Sequence, residues 1–198
     1  MITPDRREIL RYLGYKKNQL PDAEVDSCIS RCLEELGAVA EPRSVHRRFP
    51  IIRREGSLTV AGILFDSRSL EKLLASCEEA VLFAATLGIG VDRLLARSQL
   101  RDLRDALVLQ ACAAAVIEAY CDDIDQQIRS EAGRENRQTT RRFSPGYGDL
   151  DISVQRGLCR VLDTERQIGL TLTESCMMVP VKSVTAIIGL SEPPADHG

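Results

Sequence analysis

The sequence predicts an α+β fold: a mostly antiparallel twisted sheet with helices packed against it and a helical N-terminal part. Three observations carry this. Val25, Cys28, Ile29, Cys32, Leu33 and Leu36 recur at i, i+3, i+4 and i+7, the period of a helix that buries one face. Over residues 38–66 the pattern changes. Val45, Arg47, Phe49 and Ile51 fall on alternate positions, and Leu58 to Phe65 is mostly apolar, with Glu55-Gly56 as a turn between the two runs. Nothing downstream reads as the regular βαβ series that a parallel, doubly wound sheet requires.

The elements follow in order. Thr3-Pro4 reads as an N-cap with proline at the first helical position, and Ile9, Leu10 and Leu13 give a short helix stopping at Gly14. The helix of Val25 to Leu36 is closed by Gly37. After the extended segment, Ser67 to Ala75 forms a short helix with Leu70, Leu73 and Leu74 inward. Ala80 to Thr86 is a buried strand, and Leu87-Gly88-Ile89-Gly90 turns it into a helix carrying Val91, Leu94 and Leu95. The longest helix runs from about Asp102 to Arg129. Its centre, Ala111 to Ala115, is built of small residues, so another backbone can approach closely. Residues 131–150 are polar and contain Gly133, Pro145, Gly146 and Gly148; this is the longest irregular segment, and such loops often carry function. Ser153 to Leu162 reads as a helix, Ile168, Leu170 and Leu172 as an alternating strand, and Ser183 to Leu190 as another strand before a loose tail at Glu192-Pro193-Pro194.

A chain of 198 residues suits one domain, here residues 1–190 with 1–37 as its helical N-terminal part and 191–198 as a tail. The aromatic fraction is 4% and there is no Trp, so the core is expected to be Leu, Ile, Val and Ala. A net charge of −3 gives no reason to expect nucleic acid as a partner. No apolar run reaches the ~18 residues of a membrane span, and Met1 to Arg7 lacks the apolar stretch of a signal peptide. A cytoplasmic protein is expected. Seven scattered cysteines without a C-x-x-C argue against a disulfide framework or a zinc ribbon. Cys28 and Cys32 lack the third cysteine of an iron–sulfur motif, since Glu35 stands in its place. These thiols read as small buried hydrophobes. With only His46 and His197, no metal site built on histidine is expected.

Four groups of residues carry candidate chemistry. On the long helix, at ~100° per residue, Leu107, Ala111, Ala114 and Glu118 fall within one arc of about 60°, and Asp122 and Asp125 continue it. The stripe is either a helix end emerging into water or the carboxylate wall of a cleft for a cationic ligand. In Arg142-Phe143-Ser144-Pro145-Gly146-Tyr147 an arginine fork suited to a carboxylate precedes a turn where glycine allows close backbone approach. Read alone, that motif is equally an ordinary Pro-Gly turn. Leu87-Gly88-Ile89-Gly90 is either a tight strand-to-helix turn or the glycine turn of a Rossmann-type methyltransferase. Thr171, Thr173, Glu174 and Ser175 either line a pocket or form the outward face of a half-buried strand.

Taken in order, Arg142 to Tyr147 and Ile168 to Ser175 resemble the activation domain of cobalamin-dependent methionine synthase, in the form in which it occurs as a separate short protein. Arg7 to Tyr15, Phe83 to Gly88 and Ile117-Glu118-Ala119 extend the resemblance from the N-terminus to about residue 190. The resemblance implies an S-adenosylmethionine site formed by Glu118, Arg142, Gly146 and Tyr147. Arg142 would take the ligand's carboxylate, and Glu118 its amino, ribose or sulfonium group. The backbone of Ser144 to Tyr147 would take the adenine. Neither a catalytic acid–base group nor a metal is implied; the contribution is positioning. It further implies cobalamin as the methyl acceptor, reduced to cob(I)alamin by an electron donor such as flavodoxin or ferredoxin. The chain contains no D-x-H-x-x-G corrinoid motif, so the cobalamin is expected on a partner, a methionine synthase or a related corrinoid protein. Two family features are missing: an aspartate near the N-terminal edge has no counterpart, and a tyrosine of the last strand falls at Ile187 or Ile188. The alternatives are a non-catalytic S-adenosylmethionine sensor or scaffold that docks a corrinoid protein, and an independent Rossmann-type methyltransferase.

Overall fold

A computed structural model describes residues 2–54 and 57–193. Helix α1 (Arg6–Tyr12) starts later than the Thr3-Pro4 signal suggests, because the Asp5 carboxylate accepts the Arg7 N–H and acts as the cap. Helix α2 (Ala23–Val39) is capped by Asp22 and runs through Gly37 rather than stopping there. Its last turn is held against helix α4 (Ile89–Gln99), where a Cβ on Gly90 would stand 2.4 Å from the Val39 carbonyl oxygen.

Strands β1 (Arg43–Arg54), β2 (Ser57–Val60) and β3 (Ile63–Phe65) form a meander. The turn expected at Glu55-Gly56 lies outside the described residues. Helix α3 (Arg68–Leu73) follows, capped by Ser67. Strand β4 (Glu79–Thr86) then pairs with β1. Helix α5 (Leu103–Arg134) extends past Arg129, because Ile128 and Ala132 prolong its buried stripe. After β5 (Gln138–Thr139) and the loop comes a 3₁₀ turn at Ile152–Val154, then α6 (Gln155–Leu162) and α7 (Thr164–Ile168). The strand expected over 168–172 is largely absent. Ile168 ends α7, Gly169 adopts φ 71°, and Thr164 folds the chain back by exchanging bonds with Leu170. Only β6 (Thr171–Leu172) is extended, paired with β7 (Met178–Val179). Strand β8 (Ser183–Ser191) completes the main sheet.

That sheet has the order β3-β2-β1-β4-β8-β5, and every pair is antiparallel. The α+β expectation is met, and the Rossmann alternative falls with it. Side chains alternate along β4. Val81, Phe83 and Ala85 join Ile29, Leu36 and Leu109 on the side of α1, α2, α4 and α5. Ala80, Leu82 and Ala84 join Leu70, Leu158 and Leu162 on the side of α3, α6 and α7. Covering both faces explains why β4 and β8 read as continuous apolar runs.

All seven cysteines are unbridged, six of them buried. Burial pushes the Cys28 and Cys121 thiols up to about 12. Among the described residues no cluster suited to a metal ion is present, and no helix is long and apolar enough to cross a membrane.

Candidate functional site

The site begins at a single β-bridge. Phe143 donates its N–H to Ile187 O and accepts from Ile187 N–H, both at 2.9 Å. Its ring is buried with Leu158 and Ile187 on the α6 side of the sheet. The neighbouring Arg142 points the other way and reaches α5, where its guanidinium lies 2.5 Å from Asp122 and 3.5 Å from Glu118. Beyond Phe143 the chain turns. Gly146, at φ 86°, donates to Leu150 O at 2.8 Å, and Tyr147 donates to Ser144 O at 3.2 Å. The turn is fixed from below by Asp149, whose carboxylate accepts from Ser67 Oγ at 2.5 Å, Arg68 N at 2.8 Å and Ser69 N at 3.2 Å. These bonds, that from Ser67 foremost, hold the Asp149 carboxyl down at about 2.

Facing this loop is the turn between β6 and β7. Thr173 donates its N–H to Met177 O at 2.9 Å, and Cys176 sits at φ 63°. The fully buried Gln155 holds the turn by donating to Cys176 O. Past β7, Val181 N donates to Asp92 of α4 at 2.8 Å. Between α5, the 141–148 loop and residues 175–185 lies a groove of about 1000 Å³. That volume stands at the upper end of the range for small-molecule sites.

Glu118, Arg142, Ser144 and Tyr147 all border the groove. Gly146 does not; it serves the turn, and Ile152 Cδ1 occupies the space 3.0 Å from where a Cβ would be. Of the polar residues in 171–175, only Ser175 lines it. Gly88 and Gly90 belong to the packing of α4 against the α2 end. Ile187 and Ile188 are both fully buried, so neither side chain is offered to the groove. Leu107 does not continue the apolar stripe of α5 inward, being 62% exposed. The pattern missed Ser69, Gln155, Met177, Met178 and Thr185, which also line the groove.

The charges are paired but not exhausted. Glu118, Asp122, Asp125 and Arg129 line the groove from α5, and Arg141 and Arg142 line it from the loop after β5. Arg129 bonds Asp125 at 3.3 Å, yet Asp125 Oδ1 is buried without a hydrogen-bond partner. Arg141 makes no ion pair among the described residues. The lining thus carries both carboxylates and guanidinium groups, so the groove suits a zwitterionic ligand.

The family model described as vitamin B12 dependent methionine synthase, activation domain, matches residues 74–196. Among solved structures, the crystal structure of the MetH reactivation domain bound to AdoHcy has a TM-score of 0.69 and 21% sequence identity. That alignment covers 95% of this chain and 70% of the other. No curated protein matches. The family match spans most of the chain and contains α5, the arginine loop and β8, and the antiparallel sheet is shared with the reactivation domain; the chain therefore belongs to the vitamin B12-dependent methionine synthase activation domain family.

Proposed function

We propose that the groove binds S-adenosylmethionine and that the chain supports reductive methylation, and so reactivation, of the cobalamin of a methionine synthase or related corrinoid protein. The observation that carries this reading is the Arg142 fork standing over Glu118 and Asp122 at the wall of the groove. Arg142 takes the ligand carboxylate bidentately, displacing Asp122, whose side chain is 72% exposed and swings into water. Glu118 faces the ammonium or sulfonium charge. Asp125 Oδ1, otherwise unbonded, accepts from a donor of the ligand. Ser144 to Tyr147 border the nucleoside, with Gly146 shaping the turn. AdoHcy in the MetH reactivation domain is the demethylated form of the same ligand.

The corrinoid, reduced by one electron, supplies the nucleophile for the sulfonium methyl group. This chain's residues hold the ligand and present its methyl; none is required as an acid or base. No D-x-H-x-x-G motif occurs in these 198 residues, so the corrinoid is held elsewhere, on a partner. The groove has an apolar rim suited to such a partner: Tyr147, Met177 and Val181 are 70%, 59% and 57% exposed. A flavodoxin or ferredoxin donates the electron to the corrinoid, residues 1–190 act as one unit, and the setting is cytoplasmic.

The test is to mix the protein with a cobalamin-loaded methionine synthase fragment, a reductant and S-adenosylmethionine. The corrinoid absorption spectrum should show methylcobalamin forming faster than without the chain. An unchanged rate, with binding of S-adenosylmethionine intact by calorimetry, would leave a sensor or scaffold role instead.

A further inference from the structure

We infer that the tip of the α4–α5 helix pair docks the corrinoid-bearing partner, which meets it with an acidic, partly apolar surface; this rests on the groove being the S-adenosylmethionine site. Leu100, Leu103 and Leu107, at the turn between the two helices and the start of α5, are 89%, 71% and 62% exposed. At ~100° per residue, Leu103 and Leu107 share one face of α5 with Gln110, and Ile89 and Ala96 share one face of α4 with Leu100. Both faces border the segment before β8. Val181 donates its N–H to Asp92 of α4 at 2.8 Å, and Lys182 Nζ donates to Gln110 O of α5 at 3.4 Å. Val181 is itself an exposed apolar side chain and lines the groove. An apolar surface therefore leads from the groove mouth along the helix pair to its tip, and exposed apolar surface rimmed by polar groups marks an interaction site.

The charge beside this surface is one-sided. Arg93, Arg97 and Arg101 follow at four-residue spacing, all exposed, and none makes an ion pair among the described residues. The carboxylates nearby are already engaged: Asp92 by Val181, Asp102 as the cap of α5, and Asp105 by Arg31. Free guanidinium groups next to leucines fit a partner that carries carboxylates among apolar residues. A second copy of this chain fits poorly, because a two-fold contact sets the same arginine row against itself. An electron donor has only to reach the corrinoid. The corrinoid-bearing partner must cover the groove mouth to meet the methyl group, and its surface then extends onto the apolar band that continues from that mouth.

The experiment measures methylcobalamin formation against the concentration of a cobalamin-loaded methionine synthase fragment, with saturating S-adenosylmethionine and titanium(III) citrate as reductant. Two variants are compared with the parent chain: the double charge reversal of Arg97→Glu with Arg101→Glu, and Leu103→Glu. All three side chains are exposed, so thermal melts and S-adenosylmethionine affinity by calorimetry should not change. The KM for the fragment should rise about fivefold or more in each variant, with kcat unchanged. At about 0.5 M salt the charge-reversal effect should shrink while that of Leu103→Glu persists. An unchanged KM in both variants would overturn the inference. So would an effect seen only when flavodoxin replaces the chemical reductant, which would give the surface to the electron donor. Sedimentation showing a dimer of the parent chain that the variants dissociate would give it to a second copy instead. In each of these cases methylation by the parent chain leaves the site reading standing. If the parent chain neither binds S-adenosylmethionine nor speeds methylation, that reading fails and the inference with it.

Discussion

Arg142 holds Asp122 at 2.5 Å, across 20 residues of sequence, and so ties the loop after β5 to the middle of α5. Asp122 occupies the fork that a ligand carboxylate would use. Arg142→Ala should therefore cost ~1.5–3 kcal/mol of S-adenosylmethionine binding, the range for a hydrogen bond to a charged group. Arg142→Lys should recover only part, since a point charge lacks the fork. Asp122→Asn should tighten binding, by no more than about 1 kcal/mol, because the competing carboxylate is largely exposed. Calorimetric titration of the three variants checks the order. Equal affinities in all of them would remove Arg142 from the site.

Asp149 gives a pH dependence of defined sign. Its carboxyl is held at about 2 in the folded chain, below the ~3.9 of an unfolded aspartate. A depressed folded value means that the stabilisation is complete above about pH 4 and disappears as pH falls toward 2. Asp149→Asn lacks the ionic contribution at every pH. Thermal melts of the two proteins should differ most near neutrality and converge below pH 4. A gap that stays constant down to pH 2.5 would mean that the bonds from Ser67 and Ser69 do not depend on the charge.

Much of this fold was legible because it rests on local pattern. The α2 stripe from Val25 to Leu36 and the uniformly apolar β4 appear where periodicity places them. Ile168 to Leu172 misled, because alternation over five residues does not distinguish a strand from a helix end followed by a reversal. What decided it was the bonding of Thr164 to Leu170, six residues apart. The site was legible where a motif concentrates it, at Arg142 to Tyr147. Gln155 and Thr185 carry no local signal. They reach the groove only because α6 and β8 pack side by side, a consequence of the whole sheet order. Ser69 enters for a similar reason, through the grip of Asp149 on the start of α3.

Two glycines should respond oppositely to alanine. At Gly90 a Cβ would stand 2.4 Å from the Val39 carbonyl oxygen, closer than any contact allows, so α2 and α4 must separate. Gly90→Ala should destabilise by about 1–3 kcal/mol, as overpacking does. At Gly133, near the end of α5, nothing lies within 4 Å of the added atom and φ is ordinary. Gly133→Ala should stabilise by up to ~1 kcal/mol, the difference in helix propensity. Urea melts of both variants measure this; a stable Gly90→Ala protein would mean that α2 does not close on α4 as described.

Glu118 tests what the acidic wall recognises. Its carboxylate is 45% exposed, lies 3.5 Å from the Arg142 guanidinium and borders the groove. S-adenosylmethionine and S-adenosylhomocysteine share the amino acid end, the ribose and the base; only the sulfonium charge and its methyl differ. If Glu118 attracts that charge, Glu118→Gln loses a charge–charge interaction present with one ligand alone. S-adenosylmethionine should then weaken more than S-adenosylhomocysteine, and the ratio of the two affinities should fall. The difference should shrink with added salt, since a half-exposed carboxylate is partly screened. Equal losses for both ligands would assign Glu118 to the shared ammonium or ribose instead. No loss for either, with an unchanged melting temperature, would make Glu118 a solvated helix residue whose only partner is Arg142.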